Sequence, residues 1–353
     1  TIVRMAQDYT GSNNINWLEP CGQFGTRLMG GKDSSQTRYI FTKLMPETRR
    51  LFHPDDDAIL DYLEDDGKRV EPEFYVPVIP TVLVNGTEGI GTGFSSKVPS
   101  YNPDDIRANL RCILKGENIK PMKPWVRGFK GTINKDGKSW VAMGVYSVSG
   151  NRITITELPP GNWTDEYKEY LDSLIDKKVI SGYRNASTTN EVNFVIEDYT
   201  GSNIIKDFKL SKAIHTTNMH LFHPTHGIKK YTSAEEILVD FVEIRMEAYK
   251  KRKEHLLSKL SNEASELAAK SKFIRMVSDG DLIVFKRKKA ELEKALQKHF
   301  RKVDKSFDYL LNIKTYMYTE EAAEKLANDA KAAKKALEAL EQTTEAEMWL
   351  NNI

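Results

Sequence analysis

An arginine and a tyrosine stand side by side at Arg38-Tyr39, closing the glycine-rich stretch Gly22–Tyr39, GQFGTRLMGGKDSSQTRY. A phenol beside a guanidinium is a candidate nucleophile toward phosphorus, because the cation favours phenolate and neutralises phosphate oxygens. Gly22, Gly25, Gly30 and Gly31 let the backbone approach a ligand closely and take positive φ. Between Arg27 and Arg50, six basic residues (Arg27, Lys32, Arg38, Lys43, Arg49, Arg50) face two acids, Asp33 and Glu47, although the whole chain carries only +2. Such a concentration is the footprint of a phosphate-backbone contact. Gln23, Arg27 and Lys32 are the candidate contacts, since side chains and amides more often fix the register of a nucleic acid than read its bases. Residue chemistry alone does not single out Tyr39: the chain has 15 tyrosines, and a tyrosine is more often a packing residue than a nucleophile.

Other motifs have a competing plain reading. Gly30–Ser34, GGKDS, fails as a P-loop, which would need glycine at Thr26 and Ser or Thr at Asp33, after a strand. Asn85–Gly93, NGTEGIGTG, reads as a tight hairpin with Asn85-Gly86 as its turn signal. The clusters Asp55-Asp56-Asp57 and Glu64-Asp65-Asp66 read as solvated helix-end charges rather than metal ligands. His53, His223 and His226 lie in turn-like contexts and read as local structure. Lys250-Lys251-Arg252-Lys253 reads as the exposed face of a long helix. DYTGSNNI at Asp8–Ile15 returns as DYTGSNII at Asp198–Ile205, but the flanks share nothing, so this is coincident turn chemistry and not a repeat architecture.

The elements that must position these residues fall into three parts. At 353 residues the chain exceeds what one hydrophobic core fills. Two cysteines give no disulfide framework and no zinc spacing, which fits a reducing intracellular compartment. No apolar run is long enough for a membrane span. The opening TIVRMAQ lacks an initiator Met and a signal h-region, and is expected to be the end of an amphipathic helix entered part-way, in a piece of a longer protein. The first part expects a strand in YIFTKL, helices at about 46–52 and 57–63, and β-structure through EFYVPVIPTVLVNGTEGIGTGFSS. The second expects a helix to about Lys115, then strands in KGTINK, SWVAMGVYSVSG, RITITEL and NEVNFVIED around a helix near 164–175. In the third, the capping box Ser233-x-x-Glu236 starts roughly 45 residues without Pro or Gly, a helix about 65 Å long. Its seam of Phe241, Tyr249, Leu256, Leu260, Leu267 and Ile274 faces a second helix from Thr319 in an antiparallel coiled coil.

The segment QFGTRLMGGKDSSQTRYIFT closely resembles the active-site segment of eukaryotic-type DNA topoisomerase II. The resemblance continues through RVEPEFYVPVIPTVLVNGTEGIGTGFSSKVPSYNP, PWVRGFKGTI, ITELPPGNWT, HGIKKYTSAEEIL and FDYLLNI, spanning 1 to about 350. It implies an α+β multidomain fold: the latter part of a winged-helix domain (1–96), an α/β tower domain (97–232), and a long antiparallel coiled coil (233–353) with a helical C-gate dimerisation tip at about 281–318. By resemblance, Tyr39 attacks a DNA phosphodiester and stays linked to the 5′-phosphate, and Arg38 stabilises charge at the phosphorane. Ile90, at the tip of its loop, matches an isoleucine that wedges between base pairs and bends the duplex. Double-stranded DNA and a second copy of the chain are the implied partners, with no membrane, and the nucleus is the implied location. Mg²⁺ and ATP are implied for domains outside this chain, the former in a TOPRIM domain whose Glu and DxD pattern has no match here. ELPPGNWT departs from the family pattern, in which a basic residue often precedes the Trp, and this leaves a DNA contact at Asn162 unsupported. The alternatives are the gyrase A protein of the bacterial type and a non-catalytic dimeric architectural DNA binder. A tyrosine recombinase would need an Arg/His constellation that is not found.

Overall fold

The computed structural model describes residues 1–353 except Thr92, Lys138, Pro224 and His226, and the side chain of Lys289. The chain divides into two compact units, residues 1–54 with 74–245 and 352–353, and residues 55–73 with 246–351.

In the first unit the strand Phe41–Leu44 follows Tyr39 and pairs antiparallel with Leu18–Cys21, Cys21 opposite Phe41. Strand Leu18–Cys21, interrupted by Pro20, was not expected, and its pairing makes a two-stranded ribbon in which a proline is tolerated at an edge. Further on, a four-stranded antiparallel sheet is ordered Gly182–Asn185, Phe194–Glu197, Arg152–Glu157, Val145–Ser149. Alternation along RITITE buries Ile153, Ile155 and Glu157 on one face, and helix Thr164–Asp176 lays Tyr167, Leu171 and Leu174 over them. Phe194, Ile196 and Phe208 complete this core. A three-stranded antiparallel sheet is ordered Ser211–Ile214, Ser139–Met143, Thr132–Asp136.

Glu157 ends its strand almost wholly buried, and its partner is Arg27, which is 4% exposed. The carboxylate also accepts from the Lys130 and Leu158 amides at 3.1 and 2.9 Å. Arg27 was expected to contact DNA phosphate. Its guanidinium is instead neutralised inside the protein, out of reach of a phosphate.

Two other expectations are corrected in this unit. Residues 81–85 form a helix, not a strand: Leu83 and Val84 are fully buried, and Asn85 grips both the amide and the carbonyl of Ile15 at 2.9 and 2.8 Å. Asn85-Gly86 therefore ends a helix, with Gly86 at φ 70°, and is not a hairpin turn. The hairpin pairs Thr87–Gly91 with Phe94–Val98. The two DYTGSN copies fold differently. Asn13 donates to the carbonyls of Arg4 and Gln7, whereas its counterpart Asn203 caps a short helix by accepting from the Lys206 amide. Asn14, buried and donating to the carbonyls of Val84, Tyr101 and Trp125, stands where the second copy has Ile204.

In the second unit, the helix Ala234–Ser278 (its residues to Arg245 belong to the first unit) runs antiparallel to Glu320–Gln342. Ser271 donates to the Ala323 carbonyl at 2.8 Å, and Tyr249, earlier on the long helix, stacks on Trp349 of the later helix Glu345–Leu350. The long helix begins as expected, but only half of its capping box forms: Ser233 Oγ accepts from the Glu236 amide, while the Glu236 carboxylate reaches one residue further back to Thr232. A complete capping box stands instead at Thr344/Glu347, where the Thr-x-x-Glu spacing had not been expected to start a helix. The tip packs helix Lys289–Leu296 and Asp308–Leu311 around Phe273, Leu296, Phe300, Phe307 and Leu310.

The expected helix over 57–63 is absent. Tyr62–Asp65 pairs with Lys68–Pro72 through Asp66-Gly67, both at positive φ, an Asp-Gly hairpin turn. The Asp55–Asp57 cluster is solvated only in part: Asp57 is exposed and Asp55 half-buried, but Asp56 is buried. Arg252, expected on an exposed face, is 4% exposed, meets Asp55 at 3.1 Å and the buried Asp56 at 3.7 Å, and lies 5.3 Å from the centre of the Tyr249 ring.

Removing one member of the Arg27–Glu157 pair should destabilise the first unit by about 3–5 kcal/mol, since the other charge stays buried and unpaired. Denaturant unfolding of Arg27→Met and Glu157→Gln reads this, and a loss below about 1 kcal/mol in both would show the pair to be dispensable. Trp349→Ala should cost about 3–5 kcal/mol in the second unit. That loss is to be read from the unfolding transition of the second unit alone.

Candidate nucleic-acid interface

The glycine-rich segment is a backbone built by close approach. A Cβ on Gly25 would sit 2.5 Å from the Gly31 Cα, and one on Gly30 would run into the Trp163 indole. Both glycines have positive φ, 101° and 59°, so any side chain there is disfavoured by backbone and by space. Asp33, counted above as an acid opposing the basic residues, is engaged within the loop: it accepts from the Thr26 amide and hydroxyl at 2.8 and 2.6 Å and from Gln23 at 3.4 Å. Gln7 donates to the Phe24 and Gly31 carbonyls. The segment meets helix Thr164–Asp176 through the Asp165 amide, bonded to the Leu28 carbonyl at 3.0 Å, and through Lys32–Glu166 at 2.9 Å.

From this base the chain climbs through a single 3₁₀ turn, Thr37–Tyr39, into strand Phe41–Leu44. Tyr39 ends the turn and is 64% exposed. The Arg38 guanidinium lies 4.9 Å from the centre of the Tyr39 ring, so the cation and the phenol reach the same volume of solvent. Tyr9 is the contrast: burial, then the Asp33 charge, pushes its phenol up to about 12, and its hydroxyl is directed at Gln7. It is a structural tyrosine, whereas Tyr39 is presented outward.

Gln23, Lys32 and Arg38 are exposed, and Arg27 is buried. Ile90 belongs to a separate part of the same unit. It is 94% exposed on strand Thr87–Gly91, opposite Ser95, rather than at the loop tip as expected. Its hairpin is braced by the neighbouring hairpin Met219–His223/Gly227–Tyr231. Ser96 Oγ donates to the His220 carbonyl at 2.6 Å and accepts from its amide at 3.0 Å, and the Lys97 amide donates to the Asn218 carbonyl at 2.7 Å. An apolar side chain so exposed on a braced hairpin suits insertion into a partner.

Among the described residues, no group of three or more His, Cys, Asp and Glu side chains converges to hold a metal ion. The acidic clusters do not fit a Mg²⁺ site, since Asp55 and Asp56 already face Arg252 and the second cluster lies along a hairpin. His223 stands 3.9 Å from Asp240 on the long helix and meets Thr225, and His226 lies outside the described residues. No helix of the described residues is long and apolar enough to cross a membrane. Trp163, Glu157 and Lys212 shape this region and were not singled out from sequence. Glu157 and Trp163 both lie inside ELPPGNWT, a motif that pointed to the segment, whereas Lys212 lay in none.

A family model described as the A chain of DNA gyrase/topoisomerase IV matches residues 1–353. DNA topoisomerase 2 of Arabidopsis thaliana is 48% identical over 312 residues, covering 84% of this chain and 21% of that protein. DNA topoisomerase 2 of Plasmodium falciparum is 39% identical over 400 residues, covering all of this chain and 29% of its own. The chain thus spans less than a third of these curated relatives. The crystal structure of the Plasmodium falciparum topoisomerase II DNA-binding, cleavage and re-ligation domain superposes with a TM-score of 0.93 at 40% identity, over 99% of this chain and 53% of that one. With its whole length matched in this way, the chain belongs to the DNA gyrase/topoisomerase IV A family.

Proposed function

We propose that this chain is the DNA breakage-reunion portion of a eukaryotic-type topoisomerase II, and that Tyr39 is its nucleophile. The observation that carries this reading is an exposed phenol with a guanidinium beside it, raised on a tightly closed glycine-rich base. Tyr39 Oη attacks a phosphodiester phosphorus. The P–O bond to the 3′-oxygen breaks, the phenolic proton passes to solvent, and the departing 3′-oxygen takes up a proton. One ester replaces another, so the strand can be resealed by the reverse step without ATP. Arg38 stabilises the charge that grows on the phosphorane oxygens. Gln23 and Lys32 hold backbone phosphates, and Ile90 enters the base stack and bends the duplex.

A double-strand break needs two such tyrosines, one from each of two copies of the chain. On this reading residues 1–96 are the latter part of a winged-helix domain, 97–232 a tower supporting bent DNA, and 233–353 a coiled coil whose tip at about 281–318 is a dimer gate. Mg²⁺ and ATP belong to portions outside this chain, where the metal would supply further charge stabilisation and ATP would drive strand passage. The nucleus is the proposed location, although one relative, from Dictyostelium discoideum, is named mitochondrial.

Supplied with the metal-binding portion of a relative and Mg²⁺, the chain should form a protein–DNA adduct that survives denaturation. Tyr39→Phe should bind DNA with unchanged affinity and give no adduct. An adduct in the Phe variant would refute the nucleophile, and binding without an adduct in the unaltered chain would favour the architectural reading. Arg38→Ala should slow adduct formation by about 10²–10³-fold, the usual loss for one transition-state donor. Ile90→Ala should reduce duplex bending, measured by energy transfer between labelled DNA ends; unchanged bending would remove its wedge role.

A further inference from the structure

The turn Gly161-Asn162, which leads into helix Thr164–Asp176, carries no cation of its own, yet one stands over it. Lys212, on strand Ser211–Ile214, donates from Nζ to Asn162 Oδ1 at 3.3 Å. A Cβ built on Gly161 would lie 2.8 Å from the same Nζ. The ammonium therefore occupies the space into which a side chain at 161 would project. Gly161 has φ 79°, so the turn itself disfavours such a side chain.

Lys212 is exposed, and among the described residues it has no carboxylate partner. The carboxylates whose field it feels are Glu88 and Glu166, and each is already paired, with Lys97 at 2.9 Å and with Lys32 at 2.9 Å. Three ammonium groups thus share two carboxylates. Burial, and next the charge of Lys97, push the Lys212 amine below the ordinary lysine range, with Glu88 and Glu166 opposing. A positive charge left short of a counterion, at a surface it can reach, is what an incoming anion would stabilise. The three cations also come from different parts of the first unit. Lys32 belongs to the glycine-rich segment, Lys97 to the Ile90 hairpin, and Lys212 to the strand between them in this charge cluster.

We propose that Lys212 is a DNA phosphate contact, seated on Asn162, that joins the glycine-rich segment and the Ile90 hairpin into one continuous backbone track. It rests on the reading that this face binds duplex DNA. The contact is sequence-independent, because an ammonium meets the phosphate and not a base edge.

The test is the salt dependence of binding of the 353-residue chain to one duplex, compared with Lys212→Ala, Lys212→Arg and, as a distant control, Lys334→Ala on helix Glu320–Gln342. The expected result is a slope of log Kobs against log salt that falls by about 0.9 in magnitude for Lys212→Ala, one phosphate's worth. Lys212→Arg should keep the original slope, and so should the control. A Lys212→Ala slope equal to the original would overturn the proposal, as would weaker binding with an unchanged slope, which would mark a merely structural residue. If the unaltered chain showed no salt-dependent duplex binding, the DNA reading would fail first and this contact with it.

Discussion

The arrangement depends on one buried ion pair. Arg27 and Glu157 lie 130 residues apart in sequence and are both almost fully removed from water. Each charge costs several kcal/mol to desolvate, so the pair persists because neither member can be left alone. The extra donors to Glu157, the amides of Lys130 and Leu158, satisfy the lone pairs that the guanidinium does not. The geometric result is that the glycine-rich segment is fixed to the end of strand Arg152–Glu157, in the core of the four-stranded sheet. The contacts that follow are then within reach: Trp163 against Gly30, the Asp165 amide on the Leu28 carbonyl, and Lys32 beside Glu166.

This anchoring separates what must be rigid from what must be available. Order is concentrated in backbone and buried polar groups: Gln7 on two carbonyls, Asp33 on Thr26, Asn14 on three carbonyls. Buried polar networks of this kind specify one geometry because leaving any member unpaired is costly. The side chains left outside include the proposed DNA contacts Gln23, Lys32, Arg38 and Ile90 and the proposed nucleophile Tyr39. A nucleophile that exchanges one ester for another must be approached and left by the same oxygen, and an exposed phenol on a fixed base suits both directions.

Local rules made some of this legible in the sequence and partner-dependent rules hid the rest. The long helix, its half-formed cap at Ser233 and the helix beginning after Thr319 follow from spacing, capping and the lack of Pro and Gly, all of which are local. The positive φ of the four motif glycines follows from having no Cβ. Arg27 and Lys32 could not be told apart, because their difference lies in Glu157 and Glu166, far away in the chain. Asn13 and Asn203, at the same place in near-identical octapeptides, make the same point: one clasps the Arg4 and Gln7 carbonyls and the other caps a helix. The missed hairpin at Asp66-Gly67 is a different failure. Its Asp-Gly signal was present, but the acid cluster was weighed as a helix end instead.

Distant acids also change what the basic window means. Of its six cations, Arg27 pairs with Glu157, Lys32 with Glu166 and Lys43 with Glu19, so the excess counted along the chain is largely balanced in space. The balance is of two kinds. The Lys32 and Lys43 side chains are each 70% exposed, and pairs of this sort are worth only about 0–1 kcal/mol. A phosphate can take the place of either carboxylate at little cost, and the released glutamate is rehydrated. Arg27 admits no such exchange, because displacing Glu157 would leave a carboxylate buried without its partner. On the proposed function the exposed acids are exchangeable counterions that keep the surface neutral until a polyanion arrives, and the buried one is structure. A charge count in a window measures neither; burial decides which cations a nucleic acid can recruit.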